Sequence, residues 1–234
     1  MSTITTNPPT TAVDEHGNPT TGPSEAIERY DVAVDRLLRY HVDVVDQMSS
    51  LITDHPSFAM GQVLAAHLHL MSSDARDLDA ARSIAAALHA APRNDRETAH
   101  TAVVDAWIDG DWHGAAQRLD DLLVEWPTDV LALMTGHLID FFVGDAHNLR
   151  DRTGRSLAAF DPQHPHYGFV RGMQAFGLEE SGHYGLAEQA GLDAVDRNPD
   201  DVWGVHARAH VYEMQGRIDD GVAFMTQRVG DWGD

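Results

Sequence analysis

Apolar side chains recur along this chain at helical spacing, in pairs of short segments separated by turn residues. The clearest pair is Val202–Met225 (VWGVHARAHVYEMQGRIDDGVAFM), where Gly216 separates two segments of helical period. In the first segment Val205, Ala209 and Tyr212 fall on one face, which we expect to pack against the second segment. The pattern therefore predicts a hairpin of two antiparallel helices.

The same plan repeats towards the N-terminus at intervals of about 34–38 residues. Further helix pairs are predicted at residues 57–90, 95–125, 129–160 and 167–198, and a single helix at 27–52. Small residues at the predicted helix crossings (Gly136, Ala175 and Ala209) and prolines after the second helices are typical of tetratricopeptide repeats. The predicted fold class is all-α, with tetratricopeptide-like helical hairpins stacked in a right-handed superhelix. The first helix of each pair is expected to line its concave groove.

The predicted domain organisation is a disordered tail at residues 1–23 and a repeat domain of about six helix pairs at 24–234. The tail carries Thr, Pro, Asn and Gly with few large apolar residues, so burial cannot offset the entropy of ordering it. No polar capping helix follows the last repeat, and an uncapped repeat exposes an apolar face. The sequence therefore predicts a repeat domain that is incomplete at its C-terminus, or one that associates through its last repeat.

Composition excludes several classes of chemistry. The chain has no cysteine, and all 16 of its cationic residues are arginine. It therefore lacks a thiolate nucleophile, a Cys-ligated zinc site, a Schiff-base lysine and the lysine of a P-loop. No apolar run approaches the roughly 18 residues of a membrane helix, and no secretory signal pattern is visible. These features predict a cytoplasmic protein.

The net charge of −21 excludes partners more clearly than it identifies one. A strongly acidic surface repels nucleic acid and anionic lipid, so neither is an expected partner. A cationic partner or a basic peptide would match the charge, although solubility alone explains it and is the simpler interpretation.

Several strings in the chain are not required by a generic repeat, and they resemble the tetratricopeptide-repeat protein 38 family. The likeness extends from about Ser57 to Trp232. It rests on FAMG (Phe58–Gly61), WPTDVLAL (Trp126–Leu133), LRD (Leu149–Asp151), AFGLEESGHYGLAE (Ala175–Glu188) and VHARAHVYEM (Val205–Met214).

The resemblance implies the helical-repeat fold and a set of polar positions, but no activity, because the family has no firmly established one. The family pattern is matched by His100, His137, Arg150, Asp151, Glu180, His206, His210 and Glu213. Asp140 and Glu179 depart from it. The family also continues past the position of Asp234 with further helices.

A polar stripe on the first helix of the last pair supplies the candidate chemistry. Trp203, His206, His210 and Glu213 fall within a sector of about 80°, away from the face that packs on the second helix. We expect this stripe to face the concave groove. The neighbouring first helices are expected to add further polar side chains there, namely His100, His137, Asp140 and Glu180.

Three interpretations of this stripe remain open. His206 and His210, spaced i and i+4, could bind one divalent metal ion, with Glu213 or a neighbouring residue as the third ligand. His206, His210 and Glu213 could instead perform metal-free acid–base catalysis. The zincin pattern HExxH is absent, as are the nucleophile-elbow, dinucleotide and P-loop motifs.

The third interpretation is the one we favour, because repeat arrays most often act as binding surfaces. It predicts a binding or scaffold protein that holds a peptide, a partner protein or a small molecule in a His/Glu-lined groove, with no cofactor. The alternative is an enzyme of unknown reaction that uses His206, His210 and Glu213, with a divalent metal as its cofactor in one version.

Overall fold

A computed structural model describes residues 11–232 of the 234-residue chain. In this part of the chain a short β-hairpin precedes twelve α-helices. The strands are β1 (Thr11–Val13) and β2 (Pro19–Thr21). The helices are α1 (Ser24–Leu38), α2 (Val44–Asp54), α3 (Ala59–Met71), α4 (Leu78–Ala90), α5 (Asp95–Ile108), α6 (Trp112–Glu125), α7 (Val130–Val143), α8 (Ala146–Leu157), α9 (Tyr167–Glu180), α10 (Tyr184–Arg197), α11 (Val202–Met214) and α12 (Ile218–Gln227). The predicted all-α class is confirmed.

The five predicted helix pairs, from α3–α4 to α11–α12, form where their local signals indicate. Asn94 caps α5, and Glu97 closes the reciprocal capping box with it. Asp129 caps α7 by accepting a hydrogen bond from the Ala132 N–H. Gly144 ends α7 in a left-handed conformation (φ 74°) that other residues rarely adopt. The hand of the predicted superhelix stays a prediction.

The predicted single helix at residues 27–52 is wrong, because the chain turns between α1 and α2. Tyr40 there adopts a left-handed conformation (φ 59°). Its ring lies edge-on to Trp203 at 6.3 Å, and the neighbouring Arg39 guanidinium pairs with Asp200 and lies over the Phe169 ring. These partners are more than a hundred residues away in sequence, so the apolar period of residues 27–52 carries no sign of them.

The predicted disordered tail is also wrong over residues 11–23; residues 1–10 lie outside the described part of the chain. β1 and β2 pair antiparallel, and the following turn leads directly into α1. The hairpin is fixed to α5 by polar contacts. The Arg96 guanidinium pairs with the buried Asp14 carboxylate at 2.9 Å, and the Thr21 N–H donates to Glu97 Oε1 at 2.7 Å. These partners on α5 are more than seventy residues away in sequence, so the composition of the segment carries no sign of them.

The described residues divide into two compact units. The first comprises residues up to 34 and 43–111, and in it α3 packs against α2, α4 and α5. The second comprises residues 35–42 and those from 112 onwards. There the helices from α6 to α12 pack in sequence, and α9 contacts α7, α8, α10 and α11. The predicted polar stripe on α11 belongs to this second unit.

No described helix combines the length and the apolar character that crossing a membrane would require. The exposed apolar side chains of α12 include Ile218 and Val222, in the position of the predicted uncapped face.

Glycine permits a close backbone contact between α8 and α9 in the second unit. A Cβ atom at Gly177 would lie 2.6 Å from both the Arg150 Cα and the Leu149 carbonyl oxygen. Backbone cannot move aside as a flexible side chain can. The crossing was predicted at the nearby Ala175, which is buried, but Gly177 is the residue that cannot be enlarged.

We expect Gly177→Ala to lower the free energy of unfolding by about 1–3 kcal/mol, because the methyl group overpacks the α8–α9 contact. Gly185→Ala on α10 is the matched control, since no atom lies within 4 Å of its added Cβ. That substitution should leave stability unchanged or raise it by up to about 1 kcal/mol, as alanine favours helix. Urea unfolding followed by circular dichroism measures both. Equal effects of the two substitutions would contradict the assigned role of Gly177.

Candidate functional site

The N-terminal cap of α11 sets the direction of every side chain in the stripe. The Asp201 carboxylate accepts hydrogen bonds from the N–H groups of Trp203 (3.2 Å) and Gly204 (3.1 Å). Burial raises the pKa of Asp201 well above its usual value. Val205 and Tyr212 then pack with Val195 and Phe224 on α10 and α12, apart from the stripe. This confirms the two faces that the helical period predicts.

The two histidines of the stripe are hydrogen-bonded to each other and to α9. His206 Nε2 lies 2.9 Å from His210 Nε2. On its other side, His210 Nδ1 lies 3.2 Å from Glu179 Oε2 and 3.9 Å from Glu180 Oε1. A continuous line of polar contacts therefore joins His206, His210 and Glu179. We refer to His206, His210, Glu179 and Glu180 as the His–Glu cluster.

Aromatic rings pack beneath the cluster and hold its imidazoles in place. The His206 ring stacks on Trp203 with 5.9 Å between centroids and 11° between planes. Phe176 of α9 contacts Trp203 at 4.8 Å, His206 at 5.0 Å and His210 at 6.0 Å between centroids. Because these rings fill the space under His206 and His210, the imidazoles have little freedom to turn away.

Burial in the cluster disfavours the charged form of both Glu179 and His206. Burial raises the pKa of Glu179, against the hydrogen bond from His210, and the charges of Glu180 and Glu213 raise it further. Burial also lowers the pKa of His206, with a smaller contribution from His210. Glu179 is 5% exposed, whereas Glu180 and Glu213 lie on the open side. The cluster is thus buried on the side of Glu179 and open to solvent on the side of Glu180.

Three of the predicted groove residues come together at the cluster, namely Glu180, His206 and His210. Trp203, also predicted for the groove, is buried beneath them. Glu213 is exposed at the C-terminal end of the stripe and acts on the cluster through its charge.

Three further predicted groove residues are buried, so their assignment to an open groove, like that of Trp203, is wrong. His137 lies under the cluster, 4.6 Å from the Trp203 ring. The Asp140 carboxylate is bound by the Arg152 guanidinium at 2.8 Å and 3.0 Å. His100 belongs to the first unit and is fully buried there, with its ring 6.0 Å from that of His67. Helical period predicts the direction of these side chains but not the element that covers them.

Sequence reasoning missed Glu179, the buried carboxylate that contacts His210. Its departure from the family pattern argued against it. A local signal did exist, since Glu179 follows Phe176 at a spacing of three and so shares its face of α9.

The prediction that His206 and His210 are the two histidine ligands of one metal ion is also revised. Their Nε2 atoms face each other in one hydrogen bond. The donor atoms that converge within 4.8 Å of one another belong to Glu179, Glu180 and His210.

A comparison with protein-family models finds none that matches this chain. The resemblance to the tetratricopeptide-repeat protein 38 family therefore stays a prediction.

Proposed function

We propose that this chain is a tetratricopeptide-type binding protein of the cytoplasm whose ligand site is the His–Glu cluster of α9 and α11. The ligand we propose is the positively charged side chain of a peptide or partner protein. The repeat assignment is supported by the helix order, in which the first helices α7, α9 and α11 contact one another in succession.

One observation carries the proposal of a cationic ligand: Glu179 and Glu180 contact His210, the charge of Glu213 acts on Glu179, and no arginine is paired with any of these three carboxylates among the described residues. Among the described residues, Glu179 and Glu180 both form their salt bridges with His210. Elsewhere in the second unit, arginines pair with most buried or half-buried acidic groups, as Arg217 does with Glu188. An arginine or lysine side chain from a ligand would supply the missing charge and donate to Glu180 and Glu213. The overall charge of −21 would attract such a ligand over long range.

The test uses a labelled eight-residue peptide with three arginines, and the same peptide with each arginine replaced by citrulline. Citrulline keeps the shape and removes the charge. We expect the arginine peptide to bind, measured by fluorescence anisotropy, and the citrulline peptide to bind at least about tenfold more weakly, a loss of about 1.4 kcal/mol.

Variants locate the binding site of that peptide. Glu180→Gln with Glu213→Gln should lower its affinity about tenfold. Asp196→Asn with Asp219→Asn removes the same charge from exposed positions on α10 and α12 and should have no comparable effect. Equal losses in both double variants would mean that only net charge attracts the peptide, and the assignment to the cluster would fail. Equal binding of the two peptides would exclude a cationic ligand.

A second candidate function is acid–base catalysis, favoured by the line of hydrogen bonds from Glu179 through His210 to His206. A carboxylate that fixes one imidazole, which in turn contacts another, is an arrangement suited to moving a proton. In this arrangement Glu179 is the carboxylate that acts with the two histidines, whereas the sequence predicts Glu213 for that role. The two functions differ in the response to His206→Ala with His210→Ala, which should abolish turnover in an enzyme but reduce binding only in part.

A further inference from the structure

We propose that Glu179, Glu180 and His210 bind one divalent transition-metal ion, of which Zn²⁺ is the best matched, with His206 hydrogen-bonded behind His210 and positioning it. This inference rests on the proposed function, because it names a second kind of cation for the same site. It differs from the pair of histidine ligands that the sequence predicts.

The donor atoms lie nearly as close together as the ligands of a tetrahedral metal centre. His210 Nδ1 is 3.2 Å from Glu179 Oε2 and 3.9 Å from Glu180 Oε1, and one donor atom from each residue lies within 4.8 Å of the others. Zinc binds imidazole nitrogen and carboxylate oxygen at about 2.0–2.2 Å, so neighbouring donors of a tetrahedron lie roughly 3.3–3.6 Å apart. An ion between the three groups therefore requires the half-exposed Glu180 carboxylate to move closer to His210.

The remaining nitrogen of His210 has the partner that a metal-bound histidine usually has. If Nδ1 binds the ion, Nε2 carries the proton and its N–H donates a hydrogen bond to His206 Nε2 at 2.9 Å. A metal-ligating histidine almost always donates its other N–H to a nearby acceptor, which fixes the ring orientation and the tautomer. His206 is itself held by stacking on Trp203, so the acceptor behind His210 is rigid.

The helices that carry the three ligands are held close together, which fixes the site before an ion arrives. A Cβ atom at Gly172 of α9 would lie 1.8 Å from Asp201 Oδ2 and 2.8 Å from the Gly204 nitrogen at the start of α11. The two helices therefore meet where Gly172 leaves room for the Asp201 carboxylate that caps α11. A preformed ligand set loses less conformational entropy on binding.

The donor types favour transition metals over Mg²⁺ and Ca²⁺. One imidazole and two carboxylates suit Zn²⁺, Co²⁺ and Ni²⁺, whereas Mg²⁺ and Ca²⁺ require oxygen ligands alone. Glu179 is buried and Glu180 is half-exposed, so the ion would have one side open to solvent. Three protein ligands and an open fourth position are the arrangement found where zinc binds a further ligand or an activated water.

The test is isothermal titration of the full chain, free of any histidine tag, with ZnCl₂ and separately with MgCl₂ at about pH 7.5. We expect one Zn²⁺ per chain with a dissociation constant of about 1 μM or below, and no comparable binding of Mg²⁺. Co²⁺ should give the visible absorption of a tetrahedral complex. More than one ion per chain without a distinct tight site, or no binding, would overturn the proposal.

Variants test each assigned residue. Glu179→Gln and His210→Ala should each weaken Zn²⁺ binding at least about thirtyfold, because each removes a ligand. His206→Phe should weaken it about tenfold, the loss typical of a residue that orients a ligand, and should leave the cobalt spectrum tetrahedral. His113→Ala on α6, an exposed histidine, and Asp196→Asn are the matched controls and should bind as the unmodified chain does. Circular dichroism and thermal unfolding confirm that each variant is folded.

The peptide experiment separates this proposal from the proposed function. Zn²⁺ binding that survives Glu179→Gln and His210→Ala would overturn the metal site, while arginine-peptide binding in EDTA would still support the binding function. Conversely, a chain that binds Zn²⁺ tightly but does not distinguish the arginine and citrulline peptides would support the metal site and exclude the cationic ligand.

Discussion

Replacing His137 with leucine is expected to remove a large part of the acid sensitivity of the second unit. His137 is fully buried on α7, and neither ring nitrogen has a hydrogen-bond partner among the described residues. Its ring packs against Trp203 and Phe176 at 4.6 Å and 5.8 Å between centroids. This environment lowers the pKa of His137 to about 3, chiefly through burial and also through the positive charge of Arg152.

The direction of the pH effect follows from the lowered pKa. In the unfolded chain the imidazole takes up a proton near pH 6.5, whereas in the folded chain it does so only near pH 3. The neutral form therefore contributes its full stability above pH 6.5, and that stability is lost as the pH falls from 6.5 to about 3. At 1.36 kcal/mol per pKa unit, the whole effect is on the order of 5 kcal/mol.

Urea unfolding at about pH 7.0 and about pH 4.5 measures this prediction. Between these two pH values we expect the unmodified chain to lose about 3 kcal/mol more of its free energy of unfolding than His137→Leu does. Both chains contain the same carboxylates, so the contributions of these groups cancel in the difference. Near neutral pH the two should differ by only about 1 kcal/mol, because losing the ring contacts opposes the gain from removing two unpaired nitrogens. The exposed His113→Gln serves as control. If all three chains lose stability in parallel, His137 is not the acid-sensitive group.

The helices could be predicted from the sequence because their signals are local. Gly144, Gly216 and the capping residues Asn94, Asp129 and Asp201 mark starts and ends within a few neighbouring residues. The predictions that failed concern segments whose conformation depends on contacts with residues distant in sequence. The turn at Tyr40 depends on Trp203, and the hairpin at residues 11–21 depends on Arg96 and Glu97. Periodicity within a segment cannot report such partners.

The candidate site was predictable in part for the same reason. The i, i+4 spacing placed His206 and His210 in contact on one face of α11, and the structure has them hydrogen-bonded. The depth of each side chain was not predictable, because it depends on which neighbouring helix covers it. Asp140 shows this most clearly: its position on α7 suggested an open groove, but its carboxylate lies under α8 against Arg152.

Arg152→Met is expected to lower the free energy of unfolding by about 3–5 kcal/mol, because it leaves a buried carboxylate without its counter-charge. Arg152 is 1% exposed and lies against Gly136, whose lack of a side chain gives the guanidinium its space. It donates to Asp140 at 2.8 Å and 3.0 Å and to Asp120 at 2.9 Å. Its Nη2 also donates to the Ala116 carbonyl at 3.3 Å, so α6, α7 and α8 meet at one side chain.

Arg155 provides a matched control, because it pairs with the same Asp120 from a side chain that is 58% exposed. Arg155→Met should cost no more than about 1 kcal/mol, since solvent screens an exposed pair. The double variant Arg152→Met with Asp140→Leu then separates two contributions. It removes both buried charges, so it should recover most of the stability that Arg152→Met loses. If the double variant is as unstable as the single one, the loss comes from packing against Gly136 and Ala116, and not from the unpaired carboxylate of Asp140.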